Sequence, residues 1–237
     1  MNEQTFKLGE DWLTAGKALE ITENKISVLL SSETEKKIEK SWGIVQKIVD
    51  KGHPVYGINT GFGPLCTTKI SKSETNILQT NILQSHSVGV GDPIKKDIAK
   101  LMLVLKAQSL AKGFSGIALK TLKRIIWHIE NDAIPVVPSQ GSVGASGDLA
   151  PLSHLFLPLI GMGKVEYKNE IITTATLFEK TGLEPIALGP KEGLALINGT
   201  QFIASHAVKV VSQLHSLLAQ ADIIGAMMIE GLQGSVK

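Results

Sequence analysis

The chain has almost no cysteine. A single thiol, Cys66, in 237 residues excludes an internal disulfide framework and a multi-cysteine zinc site, and it fits a reducing compartment, with the cytoplasm as the default. A dominant charge is missing as well. The 24 Lys and Arg stand against 22 Asp and Glu with no run of one sign, so neither a basic field nor a charged tail points to a nucleic-acid partner. Long apolar runs are also absent. The longest, residues 155–162, is far below the ~20 residues of a bilayer span, and Met1-Asn2-Glu3-Gln4 has neither the basic start nor the apolar centre of a signal peptide. No membrane partnership is expected. Aromatic residues make up only 5%, yet 43% of the chain is hydrophobic. At roughly 100–150 residues per domain, that length supports one large domain or two unequal ones with a real core, which excludes disorder.

Helical periodicity fills much of the rest. Between residues 34 and 49, Ile38, Trp42, Val45, Ile48 and Val49 recur at three- and four-residue steps and Gly52 follows as a stop, which predicts an amphipathic helix. Further helices are predicted over about 73–87, from Asp92 as N-cap and Pro93 as first residue to Gly113, and over about 115–131 with Ile117, Leu122, Ile125, Ile126 and Ile129 on one stripe. Strand signals are few. Residues 165–167 and 170–172, joined by Lys168-Asn169, read as a small hairpin, and a short extended piece is expected near Val55. After a Pro- and Gly-rich stretch over 185–193, residues 200–230 read as one long apolar helix with Asp222, Glu230 and Lys209 as its only charges. Such a helix belongs inside a bundle. Near the end of the sequence, it calls for oligomerisation or for a longer chain to cover it.

Glycine is plentiful, with 23 residues against an average near 7%. Many fall in three clusters: Tyr56-Gly57-Ile58-Asn59-Thr60-Gly61-Phe62-Gly63, Ser85-His86-Ser87-Val88-Gly89-Val90-Gly91, and Gly141-Ser142-Val143-Gly144-Ala145-Ser146-Gly147-Asp148. The third is not a nucleophile elbow, because the glycine spacing of G-x-S-x-G is broken and no strand leads into it. Phosphate-cradling loops fail too, for want of Gly-Lys-Ser/Thr or G-x-G-x-x-G. A plain glycine-rich turn remains one reading. Backbone chemistry offers another: with Ala145-Ser146-Gly147 sharply bent, the Gly147 amide nitrogen can add to the Ala145 carbonyl carbon and close a five-membered ring. Loss of two waters, one of them carrying off the Ser146 hydroxyl, then leaves an exocyclic methylidene. That is an electrophile, which ordinary side chains do not supply.

The run Gly141 to His154, Gly-Ser-Val-Gly-Ala-Ser-Gly-Asp-Leu-Ala-Pro-Leu-Ser-His, resembles the signature of the aromatic amino acid ammonia-lyases and aminomutases that carry the methylidene-imidazolone (MIO) group. Residues 56–63 and Leu194-Ala195-Leu196-Ile197-Asn198-Gly199-Thr200-Gln201 agree with the same family in order and spacing. The resemblance runs from about residue 5 to 237, and within the family it is strongest to the histidine ammonia-lyases, through Ser85-His86 followed by Gly89-Val90-Gly91.

The resemblance implies a role for each of these residues, beside a duller one. Ser146 becomes the source of the MIO methylidene, with Ala145 and Gly147 as ring partners; otherwise it is a loop serine. Asp148 assists cyclisation or holds the loop, and as a plain residue it is an N-cap for 149 onward. Tyr56 resembles the family's catalytic tyrosine, placed to exchange the substrate β-proton, or it is structural. Asn198 sits beside the ring and the substrate amine or carboxylate, or it caps the long helix near Thr200. His86 meets the substrate ring, where imidazole can hydrogen-bond imidazole, although some tyrosine-specific relatives also have histidine here. His53, His128, His154, His206 and His215 show no metal-binding spacing and are read as structural, so no metal is expected.

The expected fold is mainly α: an N-terminal mixed helical domain over 1–195 with a minor β hairpin, then the first long helix of a central helical bundle over 196–237. The implied activity is elimination of ammonia from L-histidine to give urocanate, on an amino-acid substrate, in a homotetramer. The alternatives are a tyrosine or phenylalanine ammonia-lyase, an aminomutase, a non-catalytic helical scaffold, or a serine hydrolase using Ser146. Family active sites draw on the later half of the chain and on neighbouring subunits, so residues 1–237 alone are expected to be inactive and to self-associate.

Overall fold

The computed structural model describes residues 5–61, 70 and 72–235. Cys66, together with Phe62 and Gly63 of the first glycine cluster, lies outside them. The architecture is mainly helical, as expected. Strand β1 (Thr5–Lys7) leads to helix α1 (Ala15–Thr22), and β2 (Ser27–Leu29) pairs with β1 in parallel. Helix α2 (Ser32–Lys51) starts where its sequence says it should. The Ser31 hydroxyl accepts from the Thr34 N–H at 3.1 Å, Glu33 and Glu35 sit in the first turn, and Gly52 closes the end in the left-handed conformation.

Helix α3 (Lys72–His86) follows, then β3 (Val90–Pro93), α4 (Lys96–Ala111) and α5 (Leu119–Glu130). The Asp92-Pro93 helix start is overturned. Residues 90–93 form a strand antiparallel to β5 (Pro138–Gln140), with Val90 opposite Gln140, and α4 begins three residues after Pro93. The local Asp-Pro signal loses to a pairing partner more than 40 residues away, and proline is tolerated there because a short two-stranded ribbon has only edges. The piece near Val55 is a turn rather than a strand: the Ile58 and Asn59 amides both donate to the Val55 carbonyl.

Helix α4 is the axis of the core. Met102, Leu103, Leu110 and their neighbours are fully buried against α1, α5 and the long helix, and the stripe Leu122, Ile125, Ile126 and Ile129 of α5 packs into the same cluster. Strand β4 (Ile134–Pro135) pairs with β6 (Lys164–Tyr167), which forms the expected hairpin with β7 (Glu170–Thr173). Lys168 and Asn169 both take positive φ, the type I′ geometry that matches strand twist. Helices α6 (Leu149–Phe156), α7 (Thr174–Thr181) and α8 (Glu192–Ile197) are short and escape the periodicity search. Helix α9 (Gln201–Gly231) packs one side on α4, α1 and α6. Its other sides are bare: Val210, Leu217, Ile223 and Met227 are each more than 60% exposed. Among the described residues no helix is long and apolar enough to cross a membrane.

One buried titratable group gives the fold a pH dependence. His128 is fully enclosed and donates Nδ1–H to the Ala133 carbonyl at 2.7 Å; burial pushes its pKa down from 6.5 to about 4. Between those values the unfolded chain holds a proton that the folded chain does not, so stability falls as the pH drops from 6.5 toward 4. The loss approaches ~3 kcal/mol at ~1.4 kcal/mol per pKa unit. Denaturant midpoints measured from pH 7 to 4 should show this slope in the wild type and a smaller one in His128→Gln; equal slopes would remove His128 as its source.

Candidate active site

The third glycine cluster is a bent loop between β5 and α6, and the second lies against it. Gly141 has φ +151°, and a Cβ there would lie 3.0 Å from the Gly89 Cα, so the two loops touch through bare backbone. His154 of α6 holds the second loop, its Nε2 accepting from the Gly89 N–H at 3.0 Å. That bond requires the Nδ1–H tautomer, and burial lowers the ring's pKa, which favours the neutral form that can accept.

A cavity of about 220 Å³ opens between the two loops, lined by Ser85, His86, Val88, Ala145, Ser146 and Gly147 among others. It is smaller than the roughly 300–1,000 Å³ of drug-sized sites, a scale suited to a single amino acid. A larger hollow of about 470 Å³ beside Trp42 and Leu119 is apolar and carries none of the cluster residues. In the cavity wall, His86 Nδ1 lies 2.9 Å from the Ile82 carbonyl and 3.1 Å from Ser85 Oγ. A carbonyl only accepts, so Nδ1 carries a hydrogen, and in the neutral Nδ1–H tautomer Nε2 is the acceptor.

Asp148 organises the loop. It is completely buried; Oδ1 accepts from Ser142 Oγ at 2.8 Å, Oδ2 accepts from the Ile203 N–H at 3.1 Å, and its own N–H donates to the Gly199 carbonyl at 2.7 Å. Asp148 does stand at the N-cap position of α6, as read for 149 onward, but its side chain makes no capping bond there. Among the described residues no side chain caps α6, and the carboxylate instead caps the third residue of α9, tying the loop to that helix. Pro151 is tolerated in α6 because it falls in the first turn, where the N–H has no helical partner.

Gly147 fits where no other residue would. Its φ is +99°, and a Cβ would stand 2.4 Å from the Gly199 carbonyl oxygen. Ser146 is exposed beside it. An exposed hydroxyl, a glycine at the attacking nitrogen and a sharply bent turn together fit a ring closed from Ala145-Ser146-Gly147.

Asn198 is exposed at the C-cap of α8, where its N–H donates to the Leu194 carbonyl; α9 has Thr200 as N-cap, so Asn198 does not cap it. It borders the site through Gly199. Tyr56, 56% exposed in the turn after α2, is not among the residues lining the cavity, and neither is Asn198. His154 was read from sequence only as structural, and Lys106 was not singled out; Lys106 sits on the apolar surface of α4, where a lone lysine between Leu103 and Leu110 was the available signal. No cluster of three His, Cys, Asp or Glu able to hold a metal occurs among the described residues.

A helical scaffold here presents a glycine-bent Ala-Ser-Gly segment in the wall of a small cavity, a candidate small-molecule site. The chain belongs to the aromatic amino acid lyase family, whose sequence model, aromatic amino acid lyase, matches residues 13–237. It is 47% identical over 211 residues to the histidine ammonia-lyase of Shouchella clausii, covering 89% of this chain and 42% of that one. The crystal structure of histidine ammonia-lyase from Trypanosoma cruzi superposes with a TM-score of 0.90 at 35% identity, over 98% of this chain and 45% of that chain. Tyrosine aminomutase from Streptomyces globisporus gives 0.89 at 34% identity, over 95% and 42%. The chain thus spans less than half the length of these relatives.

Proposed function

We propose that this chain carries the prosthetic-group loop of a histidine ammonia-lyase, which eliminates ammonia from L-histidine to give urocanate. The observation that carries the reading is the shared cavity of His86 and Ala145-Ser146-Gly147, with Gly147 packed so closely on Gly199 that only glycine fits. The MIO group, held by residues 145–147, would supply an electrophilic methylidene to the substrate amine. Around it, Asp148 holds the loop by its three hydrogen bonds and keeps Gly147 against Gly199. His86 orients the substrate ring by accepting its N–H at Nε2. Asn198 and Tyr56 lie outside this cavity, and their roles rest on the family resemblance alone: an amide for the substrate amine or carboxylate, and a phenol that exchanges the β-proton. In this reading residues 1–195 form the loop-bearing domain, and 196–237 open a helical bundle in which further helices and neighbouring subunits of a homotetramer cover the bare sides of α9. Turnover then depends on that assembly, and residues 1–237 alone are poorly active.

A second reading is favoured by the same geometry, because a neutral His86 Nε2 accepts a phenol O–H as readily as an imidazole N–H. The likeness to a tyrosine aminomutase points the same way. Product analysis separates them: urocanate from L-histidine supports the first reading, whereas an unsaturated acid or a β-amino acid from tyrosine supports the second. His86→Phe tests ring recognition. Histidine turnover should fall ~5–150-fold, the worth of a polar group left unpaired at about 1–3 kcal/mol, with little change toward phenylalanine. Equal losses on both substrates would remove His86 from substrate choice.

A further inference from the structure

Helix α8 ends at Ile197 and α9 begins at Gln201, so the segment carrying Asn198 and Gly199 has no helical ladder of its own. The carbonyls of Asn198 and Gly199 are each held by a partner distant in sequence. Gly199 oxygen accepts from the Asp148 N–H at 2.7 Å, on the loop side. Asn198 oxygen accepts from Lys106 Nζ at 2.8 Å, a side chain of the core helix α4 that reaches across 92 residues of sequence.

We propose that Lys106 is a positioning residue for the site: by holding the Asn198 carbonyl it fixes both the Asn198 side chain and the Gly199 surface on which Gly147 is seated. The proposal rests on the reading of residues 145–147 as a ring-forming turn. Lys106 is 2% exposed, among Met102, Leu103 and Leu110 at 0–1%. Burying an ammonium there costs free energy that a leucine or methionine would not. Lys100, the other buried lysine of α4, is matched by Asp132 and Asn24, a charge pairing that explains itself structurally. Lys106 instead meets a neutral carbonyl at the end of a six-residue helix. Burial alone lowers its pKa to about 7, and both the ammonium and the amine have N–H groups to give that carbonyl, so the tie survives either protonation state. From this tie the chain of contact is short: Lys106 to Asn198, Gly199 to Asp148, and Gly199 to Gly147.

The test uses Lys106→Met, which keeps the apolar stem and removes the donor, and Lys106→Arg, which restores one, both in the full-length protein. Amide hydrogen exchange at Asp148 and Ile203 reports the tie, the intact-mass deficit of two waters reports ring formation, and the kcat and KM split reports positioning. In Lys106→Met, exchange at Asp148 should quicken about tenfold or more while the α5 amides stay unchanged. The mass deficit should be incomplete, and kcat should fall ~10–100-fold with KM nearly unchanged, the scale of a small misplacement. Lys106→Arg should recover most of both. A folded Lys106→Met with wild-type exchange, mass and kcat would overturn the proposal. Should that variant not fold, Lys106→Gln, with its shorter arm, carries the same measurements. A wild-type protein lacking the two-water deficit would sink the ring reading, and exchange at Asp148 would then decide the role of Lys106 by itself.

Discussion

In the full-length protein, Ser146→Ala should abolish the two-water mass deficit and, with it, several orders of magnitude of lyase turnover. The reason is one of atoms. Closing the ring between the Gly147 nitrogen and the Ala145 carbonyl releases one water, and the second comes only from a hydroxyl on the β-carbon of residue 146. Alanine has none, so at most one water can leave and no methylidene can form. Fold stability should barely move, because Ser146 is exposed at the loop surface, where substitutions normally stay within about 0.5 kcal/mol. That separation of effects is what makes the variant informative. Unchanged mass and turnover would remove the electrophile from the mechanism. A serine hydrolase would instead lose turnover from a protein that never showed the two-water deficit. A non-catalytic scaffold would show neither deficit nor turnover in the wild type.

How much of this could be read from the sequence divides along local and non-local physics. Helix α2 was legible because its apolar stripe and its terminal glycine are local signals. The hairpin at Lys168-Asn169 and the length of α9 were legible for the same reason. Asp92-Pro93 misled because a helix-start signal carries no knowledge of the strand at 138–140 that claims those residues. Helices α6, α7 and α8 are too short for periodicity to rise above noise, and α6 has a proline in its first turn besides.

The site divides in the same way. Ala145, Ser146 and Gly147 stand in a row, and their chemistry can be argued from the row alone. His86 shares their cavity because Gly89 and Gly141 let two loops touch, which the two clusters suggested without pairing them. Asp148 reads locally as a cap for its own helix, yet its carboxylate is used 55 residues away at Ile203. Lys106 is the extreme case: a lone lysine on an apolar helix marks the residue, but its partner is a main-chain oxygen, which no side-chain pattern names.

Gly147→Ala should be as damaging as Ser146→Ala, but through geometry and with a cost to the fold. At φ +99° an L-residue is strained by about 1–2 kcal/mol, and the new methyl would stand 2.4 Å from the Gly199 oxygen and 3.1 Å from its carbonyl carbon. That oxygen cannot easily retreat, because the Asp148 N–H holds it at 2.7 Å and Lys106 anchors the preceding carbonyl. Overpacking against fixed backbone adds about 1–3 kcal/mol. At roughly 2–4 °C per kcal/mol for a chain of this size, Tm should fall by about 4–20 °C. The loop must move to relieve the clash, and movement takes the Gly147 nitrogen away from the Ala145 carbonyl, so the two-water deficit should vanish together with turnover. Gly144→Ala is the control. It sits at φ +67° in the same loop, but nothing lies within 4 Å of its added methyl, so it should cost about 1–2 kcal/mol and leave the mass deficit intact. The comparison is read by intact mass and thermal melting on the two variants side by side. Should Gly147→Ala retain the full deficit and normal turnover, the close seat of Gly147 on Gly199 would have no part in forming the ring.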